Sequence, residues 1–326
     1  MSGARIRVVD PNPLITVQDA GRRGAMRFGV SESGPMDWVR YRLARRLAEA
    51  PAAIEVGLGG ARIAAEGTVR VAVTGPGFTV KVGETTLTPP ARLTIPDGEV
   101  MTITPGRTGM WAYVTVEGID FGPPVLGSYA TNARTGFGRR DLAAGFACAA
   151  VNAAAPELFD DPYDDTGPVA VLPGPQQHMF PPAIRERFAS EPFRLSPALD
   201  RMGYTLEGPR VEAISHDIVS DGIVEGAMQV PGNGQPIVQL ADRAPTGGYP
   251  KICVIAAADR PRLAQRRPHE EVRFRWIDIE EAGRRRRALM DAIAHPAPRI
   301  RREFDPEILA RVNLVGGVWG HPEHTG

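Results

Sequence analysis

Glycine and proline recur so closely along this chain, 36 and 31 times in 326 residues, that long uninterrupted helices have little room. Proline lacks the N–H a helix interior needs and clashes with the preceding turn, while glycine loses the most conformational freedom when ordered. Both counts exceed average usage, yet the sequence is not low-complexity. Many short strands joined by tight turns satisfy such a composition, so the chain reads as mainly β.

The apolar pattern agrees. Val69, Val71 and Val73 alternate with Arg70, Ala72 and Thr74 ahead of Gly75-Pro76-Gly77; Phe78 to Val82 follows and stops at Gly83-Glu84, as a hairpin would. Met110 to Val116, Val169 to Leu172, Pro236 to Leu240, Ile252 to Ile255 and Val272 to Trp276 continue it, a spacing that suggests barrels or sandwiches. Helices are few. Residues 38–50 place Val39, Leu43 and Leu47 on one face and Arg40, Arg42, Arg45 and Arg46 elsewhere, with Asp37 better suited to an N-cap than to a ligand contact. Residues 279–294 form a second candidate, and a third opens at Asp305-Pro306 and ends at Gly316-Gly317.

Residues 153–165 are acidic, proline-containing and aperiodic, which reads as a linker between an N-terminal β domain over 1–160 and a C-terminal β domain with a helical tail over 166–326. A faint echo supports two related halves: Val71-Ala72-Val73-Thr74-Gly75-Pro76 resembles Val169-Ala170-Val171-Leu172-Pro173-Gly174-Pro175. A ligand cleft between the halves is the natural expectation.

Charge and cysteine narrow the function. Thirty-eight acidic residues balance 38 basic ones, so no global field favours nucleic acid or an anionic membrane. No segment approaches the roughly 20 apolar residues of a membrane span, and the first residues lack the apolar run of a signal peptide, so a soluble cytoplasmic protein is expected. Cys148 and Cys253 make neither a disulfide framework nor a metal spacing, and His321-Pro322-Glu323-His324 sits at the very end, so no protein metal site is expected. There is no phosphate loop of the Walker type, and Arg284 to Arg287 reads as a solvated face or a partner contact.

Two stretches read as parts of one site: Thr16-Val17-Gln18-Asp19-Ala20-Gly21-Arg22 and Thr246-Gly247-Gly248-Tyr249-Pro250-Lys251. Only Lys81 and Lys251 are lysines among the 38 basic residues. An ammonium is compact and can lose its proton when desolvated, whereas a guanidinium is forked and always charged, so the lysine in a Gly-Gly-Tyr-Pro turn is a candidate functional ammonium; chance survival is the competing reading. Asp19 with Arg22 is either a pocket wall, the arginine gripping a substrate carboxylate, or an internal ion pair that fixes the turn. The cluster Asp200-Arg201-Met202-Gly203-Tyr204 carries the same two readings. Gln229 and Asp242 flank the turns and strands before the Gly-Gly-Tyr segment.

These blocks resemble a known family. Gln18-Asp19-Ala20-Gly21-Arg22 with Ser31-Glu32-Ser33-Gly34-Pro35-Met36-Asp37, then Gly174-Pro175-Gln176, Asp200 to Gly208, Gly226-Ala227-Met228-Gln229 and Pro236 through Thr246 to Lys251, are similar in order to the biotin-dependent carboxyltransferase family, also called the allophanate hydrolase second-subunit family. The stretch Tyr129 to Arg140 is shorter than the family's usual form, and Arg267-Pro268-His269-Glu270 replaces a common Arg-Pro-Gly-Asp. The resemblance implies two cyclophilin-like β-barrel domains with a few short helices. It implies work as the C-type subunit of an ATP-dependent 5-oxoprolinase, ATP coming with Mg as counter-ion, beside a B-type companion from the first-subunit family and a lactam-opening A-type companion. Carboxyl transfer from carboxybiotin on another chain to urea or a related amide is an alternative, and a regulatory protein that binds a kinase inhibitor is another. In the leading reading Lys251, Asp19 and Asp242 are catalytic, and Gln18, Arg22, Arg201, Gln229, Gly247, Gly248 and Tyr249 bind substrate.

Overall fold

The computed structural model describes residues 3–299. The candidate helix at 305–317 and the histidine pair at 321–324 lie outside them. Among the described residues the chain is mainly β, with four α-helices, α1 (Trp38–Leu47), α2 (Pro182–Ser190), α3 (Arg260–Ala264) and α4 (Ile279–Ala294), and two single-turn 3-10 helices.

The first half contains two six-stranded sheets. One runs 146–148, 4–8, 61–66, 100–105, 78–82, 85–87; the other runs 157–158, 91–95, 69–74, 112–116, 53–56, 15–18. Apolar side chains of both interdigitate in one core that includes Ile6, Ile63, Val80 and Ile103 from the first sheet and Val17, Ile54, Val71, Val73 and Val114 from the second. The hairpin expected from 69–74 and 78–82 does not form; 78–82 pairs instead with 85–87 around Gly83-Glu84, Val82 opposite Thr85. The earlier turn at Gly75-Pro76-Gly77 does something else. It carries the chain from one sheet to the other, since 69–74 and 78–82 share no sheet.

The period-two pattern at 69–74 has two apolar destinations. Val69, Val71 and Val73 face the core between the sheets, while Ala72 packs with Leu43, Leu47, Ala48 and Phe159 beneath α1. The helix therefore covers the outer face of the second sheet, which is why Ala112–Val116 is buried along its whole length. Asp37 caps α1 as expected, its carboxylate accepting from the backbone N–H groups of Val39 and Arg40.

The second half is an eight-stranded sheet in the order 271–272, 193–199, 203–207, 237–239, 227–229, 251–255, 169–173, 274–276. Its two edge strands are neighbours in sequence, separated by Arg273 alone, so the sheet wraps round until one segment serves both edges. Such closure removes exposed strand edges. Its core also takes in Met36, Tyr41, Trp111 and Tyr113 from the first half.

Three further expectations need correction. Arg40, expected away from the buried face of α1, is 1% exposed. Its guanidinium is clamped by Asp37 at 3.1 Å, Asp161 at 2.9 Å and Asp165 at 2.6 Å, with Tyr163 beneath it. Burial alone would lower the proton affinity of that guanidinium; the three carboxylates outweigh it and push it well up. The acidic stretch that reads as a linker is thus tied to α1 through Asp161 and Asp165 rather than hanging free. The run Arg284 to Arg287 is not wholly a solvated face either, because Arg285 turns inward to the fully buried Asp259 at 2.7 Å.

Candidate functional site

The candidate residues fall into two clusters. The first joins the halves of the molecule. Arg201, on the turn between strands 193–199 and 203–207, grips Asp242 with two hydrogen bonds at 3.0 and 3.2 Å and also donates to the Gly34 carbonyl at 2.6 Å. Its remaining arm reaches Glu55 on strand 53–56 of the first half. Glu55 is fully buried and also accepts from the Met36 N–H and the Tyr113 hydroxyl, both at 2.8 Å. Burial raises its carboxyl pKa above the ordinary range, with Arg201 the main opposing influence. Burial likewise works against the charge on Arg201, but Glu55 and Asp242 overcome it and drive the guanidinium upward.

The opening loop packs beside this network. Gln18 is fully buried, donating to Thr16 and the Thr131 carbonyl and accepting from the Gly34 N–H. Asp19 accepts from the Gly21 N–H at 2.9 Å, the Ser128 hydroxyl at 2.6 Å and the Tyr129 N–H at 2.8 Å. Arg22 has no exposed surface and donates to the carbonyls of Val125 and Ala130 at 3.0 and 2.6 Å. Burial lowers its proton affinity, opposed by Asp19 and Asp242. Asp19 and Arg22 share no direct hydrogen bond among the described contacts; both instead bind the loop at 125–130. Asp19 and Arg22 thus fasten that loop, while Gln18 ties Thr131 to the turn at Gly34.

The second cluster surrounds Lys251. Strand 251–255 places it opposite Gln229, at a register shift between Met228 and Gln229. The lysine is 1% exposed. Its Nζ lies 3.3 Å from Asp221 Oδ2, yet the N–H donors find no aligned acceptor, so the contact is an ion pair without a hydrogen bond. Gln176 bridges the two, donating to Asp221 at 3.3 Å and accepting from the Lys251 backbone N–H at 3.2 Å. Hydrogen bonds from Gln176 first, and from the Gly222 N–H, hold the exposed Asp221 carboxyl below its ordinary pKa, with Lys251 assisting. Lys81 makes the contrast plain: it points outward from strand 78–82.

Close packing explains the small residues here. A Cβ on Gly174 would collide with the Lys251 carbonyl oxygen, and one on Gly247 would sit 2.6 Å from Gln229 Nε2. Thr246–Gly247 pairs with Asp221–Gly222 as a two-stranded ribbon, and the Gly248 carbonyl accepts from the Ile218 N–H. Tyr249 is 42% exposed at the rim, and its carbonyl lies 3.5 Å from Gln229 Nε2. The two stretches expected to form one site therefore lie in separate clusters, bridged by the buried Arg243, which donates to the Ile223 carbonyl beside the ribbon and pairs with Glu32 at 2.5 Å near the opening loop.

Sequence reasoning missed Glu55, Asp221 and Gln176. Glu55 is an isolated acid in an apolar strand, a signal that could have marked it as buried and paired. Asp221 gave no such signal, because its role depends on the ribbon that sets it beside the lysine. Among the described residues no group of three or more His, Cys, Asp or Glu stands in a metal-binding arrangement, and no helix is long and apolar enough to cross a membrane.

Comparison with known proteins agrees with this architecture. Residues 28–276 match the carboxyltransferase domain family, subdomains A and B. The chain is 32% identical over 288 residues to the C-type subunit of Escherichia coli 5-oxoprolinase, covering 85% of this chain and 93% of that protein. It is 26% identical over 313 residues to the urea amidolyase of Lachancea kluyveri, covering 84% of this chain but 17% of that protein. The solved structure of Kluyveromyces lactis urea amidolyase superposes with a TM-score of 0.79 at 22% identity, covering 89% of this chain and 20% of that one. The match across both halves, through the interlocked Arg201 network and the buried-lysine turn, makes this chain a member of the carboxyltransferase domain family, subdomains A and B.

Proposed function

We propose that this protein is the C-type subunit of an ATP-dependent 5-oxoprolinase, opening the lactam of 5-oxoproline to glutamate together with B-type and A-type companions. The observation that carries the reading is Lys251: a buried ammonium, ion-paired yet with donors to spare, at a turn of small residues. A lactam carbonyl is a weak electrophile. Phosphorylating its oxygen with ATP activates it, and the negative charge that develops is stabilised by a cation already in place. Lys251 supplies that cation, and Gln229, Gly247, Gly248 and Tyr249 build the packed turn that carries it. Asp221 and Gln176 join them as positioning residues. Asp19, Asp242, Gln18 and Arg201 are engaged within the protein, so in this reading they fix the loops of the site rather than touch substrate; Arg22 is held by two carbonyls but keeps a buried Nη1 without a partner. Support also comes from extent, since the chain spans nearly the whole of its bacterial C-type relative.

A second reading is carboxyl transfer to urea or a related amide from carboxybiotin carried by another chain, favoured by the description of the matched family. There the same ammonium would stabilise the departing biotin. The test is reconstitution with both companions, measuring ATP-dependent release of glutamate from 5-oxoproline. Inactivity of the assembled complex rejects the lactam reading. Lys251→Arg is expected to abolish turnover, because the larger forked guanidinium cannot stand in for the compact ammonium, and the melting temperature measured beside it separates that loss from unfolding by overpacking. Near-normal rates would make the lysine structural.

A further inference from the structure

A cavity of about 370 Å³ lies where the opening loop, α1 and the second half meet, and no residue of the Lys251 cluster lines it. Its walls carry Arg23, Arg42, Arg260 and Arg286 against two acids, Glu32 and Glu225. Both acids already have partners: Glu32 pairs with Arg243 and Glu225 with Arg260. Arg23, Arg42 and Arg286 have no carboxylate partner among the described residues, although they come from three separate elements. Arg42 is half-buried, held against the Trp38 ring at 5.8 Å and donating to the Met290 sulfur at 3.4 Å. Burial, with like charge from Arg286, Arg23 and Arg45, lowers its proton affinity. Like charges facing one concavity repel one another, most strongly at the half-buried Arg42, and an anion bound among them removes that cost.

We propose that this cleft is a binding site for a pyrophosphate-class anion, gripped by the guanidinium groups of Arg23, Arg42 and Arg286. Three unpaired guanidiniums around one space match a ligand with several adjacent charged oxygens. A single carboxylate offers one charge and one bidentate face, enough for one arginine. A neighbouring cavity of about 390 Å³ shares Tyr41 and Arg42 and continues between α1 and α4 past Met290 and Ile293. That partly apolar extension suits a group attached to the phosphates, as in a nucleotide. The inference goes beyond the lactam reading and does not depend on it, because binding is measured on this chain alone.

The experiment is calorimetric titration of the full-length protein with inorganic pyrophosphate and, in separate arms, with ADP and with malonate. Wild type is expected to bind pyrophosphate with one-to-one stoichiometry, more weakly as salt rises. Arg23→Glu and Arg286→Glu, both at exposed positions, are each expected to weaken binding about tenfold or more. Arg284→Glu lies on the same helix but outside the cavity and should bind like wild type. Tighter binding of ADP supports the site and identifies a nucleotide as occupant; equal binding supports the site with the phosphates alone as determinant. No saturable binding at millimolar pyrophosphate, an equal loss in Arg284→Glu, or malonate binding as tightly as pyrophosphate would each overturn the proposal.

Discussion

Replacing Arg201 by methionine keeps most of the side-chain volume and removes the charge that Glu55 and Asp242 share. Glu55 has no exposed surface, Asp242 is 7% exposed and Arg201 12%, so the network is largely cut off from solvent. Removing one partner of a buried ion pair costs about 3–5 kcal/mol, because the remaining charge stays desolvated, whereas an exposed pair is worth about 1 kcal/mol or less. The expected loss for Arg201→Met therefore lies in the upper range. Its pH dependence follows from Glu55. That carboxyl is already raised in the folded protein, so the folded state holds its proton more tightly than the unfolded chain. A raised carboxyl makes stability fall as pH climbs from the ordinary carboxyl range through the folded value, and the effect levels off above it. Without Arg201 the chief opposing influence is gone and the value rises further. The deficit of the variant should thus be largest near neutral pH and shrink on acidification. Urea unfolding of both proteins at about pH 7.5 and about pH 5.5 measures it. Adding Glu55→Gln to the variant should restore part of the loss, since a neutral amide no longer needs the guanidinium. A deficit below about 1 kcal/mol at neutral pH, or one that is the same at both pH values, would refute the reasoning.

Asp37→Ala should destabilise more than Asp37→Asn in thermal unfolding, because alanine loses the cap of α1, typically about 0.5–2 kcal/mol, as well as the contacts to Arg40 and Gln265; equal losses would mean the cap contributes nothing. Burial pushes the Cys148 thiol up to about 11 and the Cys253 thiol well up, so neither should react with a thiol-specific chromogenic reagent near about pH 8 until denaturant is added. Rapid labelling of the native protein would contradict their burial. Gly109 has φ +75° and an added Cβ would collide with the Pro76 carbonyl oxygen, whereas Gly98 has φ +78° and open space. Gly109→Ala should therefore cost clearly more than the roughly 1–3 kcal/mol of backbone strain that Gly98→Ala incurs; indistinguishable denaturation midpoints would sink the steric argument.

Much of the fold is legible without coordinates. The Gly and Pro density announces short strands, Val69-Val71-Val73 announces a buried strand face, and the N-cap at Asp37 with the apolar stripe behind it announces α1. The helices α2 and α3 are not legible, being short and opening on Pro181-Pro182 and Arg260-Pro261, pairs that also suit turns. The site is legible unevenly. The scarcity of lysine singles out Lys251, and the structure buries it while leaving Lys81 in solvent. The polar residues of the opening loop stand out as a unit, but whether they face a ligand or one another does not follow from their order.

Sequence by itself determined what depends on near neighbours: strand periodicity, caps and turns that demand glycine, all set by backbone sterics and hydrogen bonds within a few residues. Tertiary structure decided where the charges went. Arg201 meets Glu55 across 146 residues and Arg40 meets Asp165 across 125. The reason is physical: a charge's energy depends on its distance to a partner and on the water removed around it, and both quantities exist only once the chain has closed on itself.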